Sequence, residues 1–274
     1  MKPAEALISL RGATVMRGGR AVLHDLSFEI PAGEHTAILG PNGSGKSSLI
    51  RLLTRQDYPL PGPDGSSPVR ILGQERWDVS ELRGHLGIVS ADLQQAFTGG
   101  AGHGHRQGRE VVLSGFFASQ GIFDHQRVLP SMAARAAEAL ELAEAGHLAG
   151  KRIEEMSTGE ARRILIARAL AHDPAALLLD EPTTGLDLAS REHFLAMLRG
   201  LARKGKTILL VTHHIEEILP EIQRVILLGA GRIFRDGPKA EVLTPQALSA
   251  LYGIPVELQE NGGYFTARCE GPQG

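Results

Sequence analysis

The sequence predicts an α/β fold: a mostly parallel sheet covered on both faces, with an N-terminal antiparallel β portion and a helical insert. Three observations lead there. The short apolar run His35 to Leu39 enters a glycine loop that passes directly into a helix-like stretch, Ser47 to Thr54. A second apolar run, Ala176 to Leu179, ends on Asp180-Glu181. Strands and helices then alternate, a pattern that sets strands parallel and puts helices on both faces.

Taken in order, Leu7 to Leu10 and Val22 to Ile30 read as strands, bounded by Arg17-Gly18-Gly19-Arg20 and Pro31-Ala32-Gly33-Glu34. After the glycine loop and its helix, a Pro/Gly-rich loop from Asp57 to Pro68 precedes strands at Val69 to Leu72 and Leu86 to Val89. From Ala91 to about Met156 the character turns helical, with helices expected at Arg109 to Ala118 and Ser131 to Ala145. Strands resume at Ala176 to Leu179, Thr207 to Thr212 and Val225 to Leu228, with a helix at Ala189 to Lys204. From about Arg235 the chain carries short mixed elements and a ragged Gly/Pro tip, and no internal repeat is visible.

Composition narrows the function classes. With 274 residues, 42% apolar and 22% charged, the chain is expected to be soluble and globular. A net charge of −2 gives no global basic field, so neither nucleic acid nor an anionic membrane is an expected direct partner. No leader pattern opens the sequence, and no run approaches the roughly 18 apolar residues of a spanning helix, so a cytoplasmic protein is expected. Cys269 is the only cysteine, which excludes an internal disulfide and a thiolate metal cluster. His103 and His105 lie in a glycine-rich segment without a nearby acidic or Cys partner in sequence, and are read as a solvated loop.

Gly40-Pro41-Asn42-Gly43-Ser44-Gly45-Lys46-Ser47 fits G-x-x-x-x-G-K-[ST] in the strand-to-helix context that pattern requires. Glycines let successive N–H groups curl around phosphate oxygens, and the helix N-terminus adds partial positive charge. Lys46 can reach β and γ phosphates, and the Ser47 hydroxyl can ligate Mg²⁺. Asp180 and Glu181 emerge at the carboxyl end of a buried strand, where open parallel sheets place ligands. Successive strand residues point opposite ways, so Asp180 suits the Mg²⁺ shell and Glu181 the base for the attacking water. His213 follows the apolar strand Thr207 to Thr212 and suits a γ-phosphate contact. Ser157-Thr158-Gly159-Glu160 reads as a capping box, Ser157 as N-cap and Glu160 reaching back. Gly at the second helical position lowers propensity by about 1 kcal/mol against Ala, which makes sense if a phosphate approaches the backbone there.

With these motifs in this order, the chain resembles the ATP-binding subunits of ABC transporters over nearly its whole length. The loop at Gly40 matches their Walker A, Leu177 to Glu181 their Walker B with catalytic glutamate, and Ser157 to Glu160 their signature. Gly185-Leu186-Asp187 matches their D-loop and His213 their switch histidine. The resemblance implies a P-loop NTPase (RecA-like) fold, with ATP and Mg²⁺ held by Gly40 through Ser48 and by Asp180. It also implies a homodimer, or pairing with a similar subunit, in which Ser157, Gly159 and Asp187 serve the partner's nucleotide. Separate transmembrane permease subunits would take up the motion, placing the chain at the inner face of the cell membrane through those partners. The expected division is a single domain, 1–274, with a nucleotide-binding core (1–90 and 159–235), a helical subdomain (91–158) and a C-terminal extension (236–274).

The sequence departs from the family pattern at three places. Thr158 and Glu160 replace a Gly and a Gln of the usual Leu-Ser-Gly-Gly-Gln. The slot of the family's metal-linked glutamine holds Ala91, leaving Gln94, ahead of Gln95, as the substitute Mg²⁺ ligand. The adenine-stacking aromatic is missing, and Arg17 is the candidate to stack in its place. Val111 to Phe116 and Leu243 to Tyr252 look most like ATPases of metal-chelate or molybdate importers. The rival is a soluble, non-transporting ATPase of the same family acting as a nucleotide-gated interaction protein, and a remoter one is a small-molecule kinase.

Overall fold

The computed structural model describes residues 6–98, 105–119, 121–123 and 126–269, so His103 lies outside the described residues. The chain divides into two compact units, residues 1–79 with 207–274 and residues 80–206.

The first unit opens with strands β1 (Ala6–Arg17) and β2 (Arg20–Pro31), antiparallel from Ala6↔Pro31 to Arg17↔Arg20. A short β4 (Val69–Ile71) pairs antiparallel on the other side of β1. β1 runs well past the expected Leu10 because its register slips between Leu10 and Ala13, where Gly12 adopts φ 70 and donates its N–H to Ser27 Oγ at 2.8 Å. Such a bulge resets which face is buried, so simple alternation ends before the strand does.

The same unit holds four further strands in one sheet, three of them parallel. β3 (Thr36–Leu39), buried at every residue, pairs parallel with β7 (Thr207–Thr212) and with β8 (Arg224–Gly229). β9 (Arg232–Pro238) returns antiparallel on β8. Strands buried on both faces read as unbroken apolar runs, which is why these segments were legible. Helix α1 (Lys46–Leu53) follows β3, and α8 (Lys239–Val242) and α9 (Pro245–Tyr252) follow β9.

While the expected Gly/Pro tip at residues 270–274 lies outside the described residues, the short mixed elements expected after Arg235 include a regular hairpin, β10 (Val256–Asn261) with β11 (Tyr264–Cys269). Its two-residue turn, Gly262-Gly263, takes φ 59 and 83, and that left-handed pair is the geometry glycine supplies in tight hairpins. Lys239 fastens this hairpin: its ammonium donates to the carbonyls of Leu219, Pro220 and Gly263, each at 3.2 Å, with Phe265 beneath.

In the second unit β5 (Leu86–Val89) and β6 (Ala176–Asp180) run parallel in register. The rest is helical: α2 (Val79–His85, whose first residue belongs to the other unit), α3 (Ala91–Thr98), α4 (Gly108–Ser114), α5 (Pro130–Leu142), α6 (Thr158–Leu170) and α7 (Leu188–Arg203). Helix α3 begins directly after β5, where Ser90 Oγ accepts the Leu93 N–H at 3.2 Å and caps the turn. α6 buries Ala161, Arg162, Ile164, Leu165, Ile166, Ala167, Ala169 and Leu170, which cover most of its circumference, and packs against α4 and α5. Among the described residues no helix is long and apolar enough to cross a membrane.

Candidate active site

In the first unit β3 delivers the glycine loop. A Cβ on Gly40 would lie 2.3 Å from the Leu228 carbonyl oxygen and 2.6 Å from Ser44 Oγ, so no other residue fits without displacing backbone. Gly43 and Gly45 take φ 80 and 107, a region side chains disfavour. The loop is braced by Ser44 N–H to the Pro41 carbonyl at 3.1 Å and by Gly231 N–H to the Ser44 carbonyl at 2.8 Å. Lys46, buried at the head of α1, donates to the carbonyls of Gly40 at 2.8 Å and Pro41 at 3.1 Å, so the loop wraps its own cation. Ser44 Oγ is buried without a hydrogen-bond partner among the described residues. Asn42 and Ser47 are exposed and Ser48 half-buried. Arg17 is exposed at the closing pair of the β1–β2 hairpin.

His213 follows β7 in a turn that carries its own support. Thr212 donates its hydroxyl to Glu217 Oε2 at 2.5 Å and accepts the His214 N–H at 2.9 Å, while its carbonyl accepts the Gly40 N–H at 3.4 Å. Glu217 is fully buried. The His213 and His214 rings lie 3.9 Å apart between centroids. One threonine thus ties the histidine turn to the start of the phosphate loop. Thr212→Val keeps the shape but strips that buried carboxylate and amide of a partner, and is expected to cost about 2–3 kcal/mol. A urea titration should show a lowered midpoint with unchanged slope.

The second unit carries the remaining candidates. Asp180 closes β6 and Glu181 follows, both half-buried, with Glu181 held at φ 45. Asp187 is the N-cap of α7: its two oxygens take the Ser190 N–H at 2.8 Å and the Ser190 hydroxyl at 3.0 Å. Those bonds, the backbone one first, hold its carboxyl below the usual range.

Ser157 caps α6 as a capping box, its Oγ accepting the Glu160 N–H at 3.2 Å while Glu160 Oε2 accepts the Ser157 N–H at 2.7 Å. Lys151 adds what the motif does not reveal, donating to both Glu160 oxygens at 3.0 and 2.8 Å. Lys151 foremost, with the Ser157 N–H, keeps the Glu160 carboxyl below the ordinary range. Ser157 stays exposed. A Cβ on Gly159 would meet Ser190 Cβ at 3.4 Å, an ordinary contact, so packing within the chain does not demand glycine there. Ser157, Gly159, Arg163, Ser190 and His193 line a surface cavity of about 240 Å³.

Gln94 has a different neighbour from the one its family slot implies. Its side chain is 9% exposed and its Oε1 accepts Arg162 Nε at 2.5 Å, while Gln95 is exposed. His105 is exposed, as the reading as a solvated loop expects, and its Nδ1 lies 2.8 Å from Oε1 of Glu154, a partner distant in sequence. Sequence reasoning missed Lys151, Arg162, Thr212 and Glu217. Only Arg162 left a local trace, a cation on the buried face of a helix. Among the described residues no three His, Cys, Asp or Glu side chains gather as a metal cage.

Comparison with known proteins adds to this geometry. The profile of the ABC transporter family matches residues 23–184. The chain is 37% identical over 262 residues to the ABC transporter ATP-binding protein YlmA of Bacillus subtilis (strain 168), covering 93% of this chain and 94% of that protein. It is 34% identical to the hemin import ATP-binding protein HmuV of Streptomyces coelicolor, over 93% of this chain and 86% of that one. The dimeric structure of a bacterial ABC transporter cassette superimposes with a TM-score of 0.66 at 28% identity, covering 84% of this chain and 98% of that chain.

Proposed function

The chain belongs to the ABC transporter family and is an ABC-type ATPase, and from that premise we propose how its residues divide the work. Gly40, Pro41, Asn42, Gly43, Ser44, Gly45, Lys46, Ser47 and Ser48 receive the phosphates of ATP. Lys46, now satisfied by two carbonyls, turns its ammonium to the β and γ phosphates. Arg17 stacks on the adenine. The single observation that supports this reading best is the glycine loop itself, where steric need at Gly40 and left-handed backbone at Gly43 and Gly45 leave N–H groups to curl around an anion.

The donors suit Mg²⁺, which takes hard oxygens, one or two from the protein and the rest from phosphate and water, rather than a dedicated protein cage. Ser47 and Asp180 would hold it, and Gln94 could join only by leaving Arg162. When bound, Mg²⁺ offsets charge on the β and γ phosphates. Glu181 accepts a proton from the attacking water and His213 contacts the γ-phosphate. Ser157, Gly159 and Asp187 serve the nucleotide of a second copy, so two chains close over shared ATP. The surface cavity lined by Ser157 and Gly159 and the return of Glu160 to Lys151 and Ser157 support an anion's approach to this helix end.

Closure then drives separate membrane-spanning permease subunits, with this chain on their cytoplasmic side. Likeness to a hemin import subunit favours a metal chelate as cargo. Two measurements test the proposal. The purified chain should release phosphate from ATP only with Mg²⁺, and detergent extracts should yield it with a multi-span membrane protein. Recovery with soluble partners alone would remove the transport role while leaving the ATPase.

A further inference from the structure

Arg162 is the largest fully buried side chain of the described residues, 2% exposed, on the same helix as Ser157 and Gly159 but facing inward. A buried guanidinium is costly unless its donors are used. Arg162 uses them on two segments, α3 and the turn after β6. Nε donates to Gln94 Oε1 on α3 at 2.5 Å. The two terminal nitrogens donate to the main-chain carbonyls of Glu181 at 3.4 Å and Thr184 at 3.5 Å. Gln94 also reaches back to the Thr158 carbonyl of α6 at 3.5 Å.

The turn so gripped is not relaxed. Glu181 sits at φ 45, a conformation that is unfavourable for a non-glycine residue and persists only where neighbours over-determine it. Its carbonyl is held from within the turn by the Thr184 N–H at 3.2 Å and from outside by Arg162. The planar, forked guanidinium aims donors in fixed directions, so one side chain can span α3 and the turn at once, which an ammonium cannot.

We propose that Arg162 is a positioning residue for Glu181, fixing the backbone from which that carboxylate projects, and that Gln94 tethers it to α3. This rests on the reading of Glu181 as base. Gln94 then acts through the protein rather than as a metal ligand, and displacement of α3 reaches Glu181 through two hydrogen bonds.

The test uses full-length Arg162→Gln, Arg162→Lys and Gln94→Leu, with Glu181→Gln as a control. Arg162→Gln is expected to lower kcat by about 30-fold, since small misplacements of a catalytic group cost up to about 10²-fold, with KM for ATP and the Mg²⁺ midpoint within about twofold. Arg162→Lys should recover only part of the loss. Gln94→Leu should lower kcat by about fivefold at an unchanged Mg²⁺ midpoint, and add little in the double variant with Arg162→Gln, as coupled neighbours do. A tenfold rise in the Mg²⁺ midpoint for Gln94→Leu would overturn the tether, and normal kcat in folded Arg162→Gln would overturn the positioning role. If the Arg162 variants do not fold, Gln94→Leu still decides through its split between kcat and Mg²⁺. Normal turnover in Glu181→Gln would instead remove the base reading itself.

Discussion

Glu181→Gln is expected to lower ATP turnover by about 10²- to 10³-fold, the range a lost general base commonly costs, while ATP still binds. The amide matches the carboxylate in size, so the strained backbone at φ 45 and its grip by Thr184 and Arg162 are undisturbed. Only the capacity to take a proton disappears. The phosphate loop and Ser157 stay intact, so ATP should hold two copies together without being consumed. Size-exclusion chromatography with Mg²⁺ and ATP should show a dimer for Glu181→Gln and mostly monomer for the parent chain after turnover. Unchanged hydrolysis would transfer the base role to another group.

The second large effect lies at the head of α6. Ser157→Arg should reduce turnover to background, whereas Glu160→Gln should change it less than about tenfold. Loss of the Ser157 cap costs about 1 kcal/mol of helix stability, too little to unfold the chain. The activity loss would therefore come from bulk placed where a second copy's phosphate is proposed to sit. Glu160 does not point its charge outward, because Lys151 and the Ser157 N–H hold both oxygens. Gln at this position can still accept the Ser157 N–H, as capping boxes allow, so the helix start survives. Phosphate release measured beside thermal melts separates the two causes. Equal and severe losses from both substitutions, with both proteins folded, would end the capping account.

Local motifs made much of this protein legible from sequence. The phosphate loop needs glycines at fixed spacing, the acidic pair needs a buried strand before it, and the cap of α6 needs Ser and Glu one turn apart, and each signal lies within a few residues. What stayed hidden depends on distance along the chain or on twist. Arg162 meets Gln94 across 68 positions, and His105 meets Glu154 across 49. No window of sequence brings such partners together. The bulge at Gly12 concealed half of β1 because the alternation that marks a strand is what a bulge interrupts. The last hairpin is a different kind of miss: Asn261-Gly262-Gly263-Tyr264 is a strong turn signal between alternating residues, and it was open to the same reasoning that found the phosphate loop.

Lys239 gives that hairpin a meaning beyond decoration. With Leu219, Pro220 and Gly263 lending their carbonyls to one ammonium, peeling β10 and β11 away would strand a cation among partly buried acceptors. A Cβ on Gly263 would already press within 3.0 Å of Pro220, so the two segments touch as closely as backbone permits. The hairpin is therefore part of the same cooperative unit as the segment that follows His213. A substitution that loosens the hairpin is expected to loosen the Leu219-Pro220 segment with it.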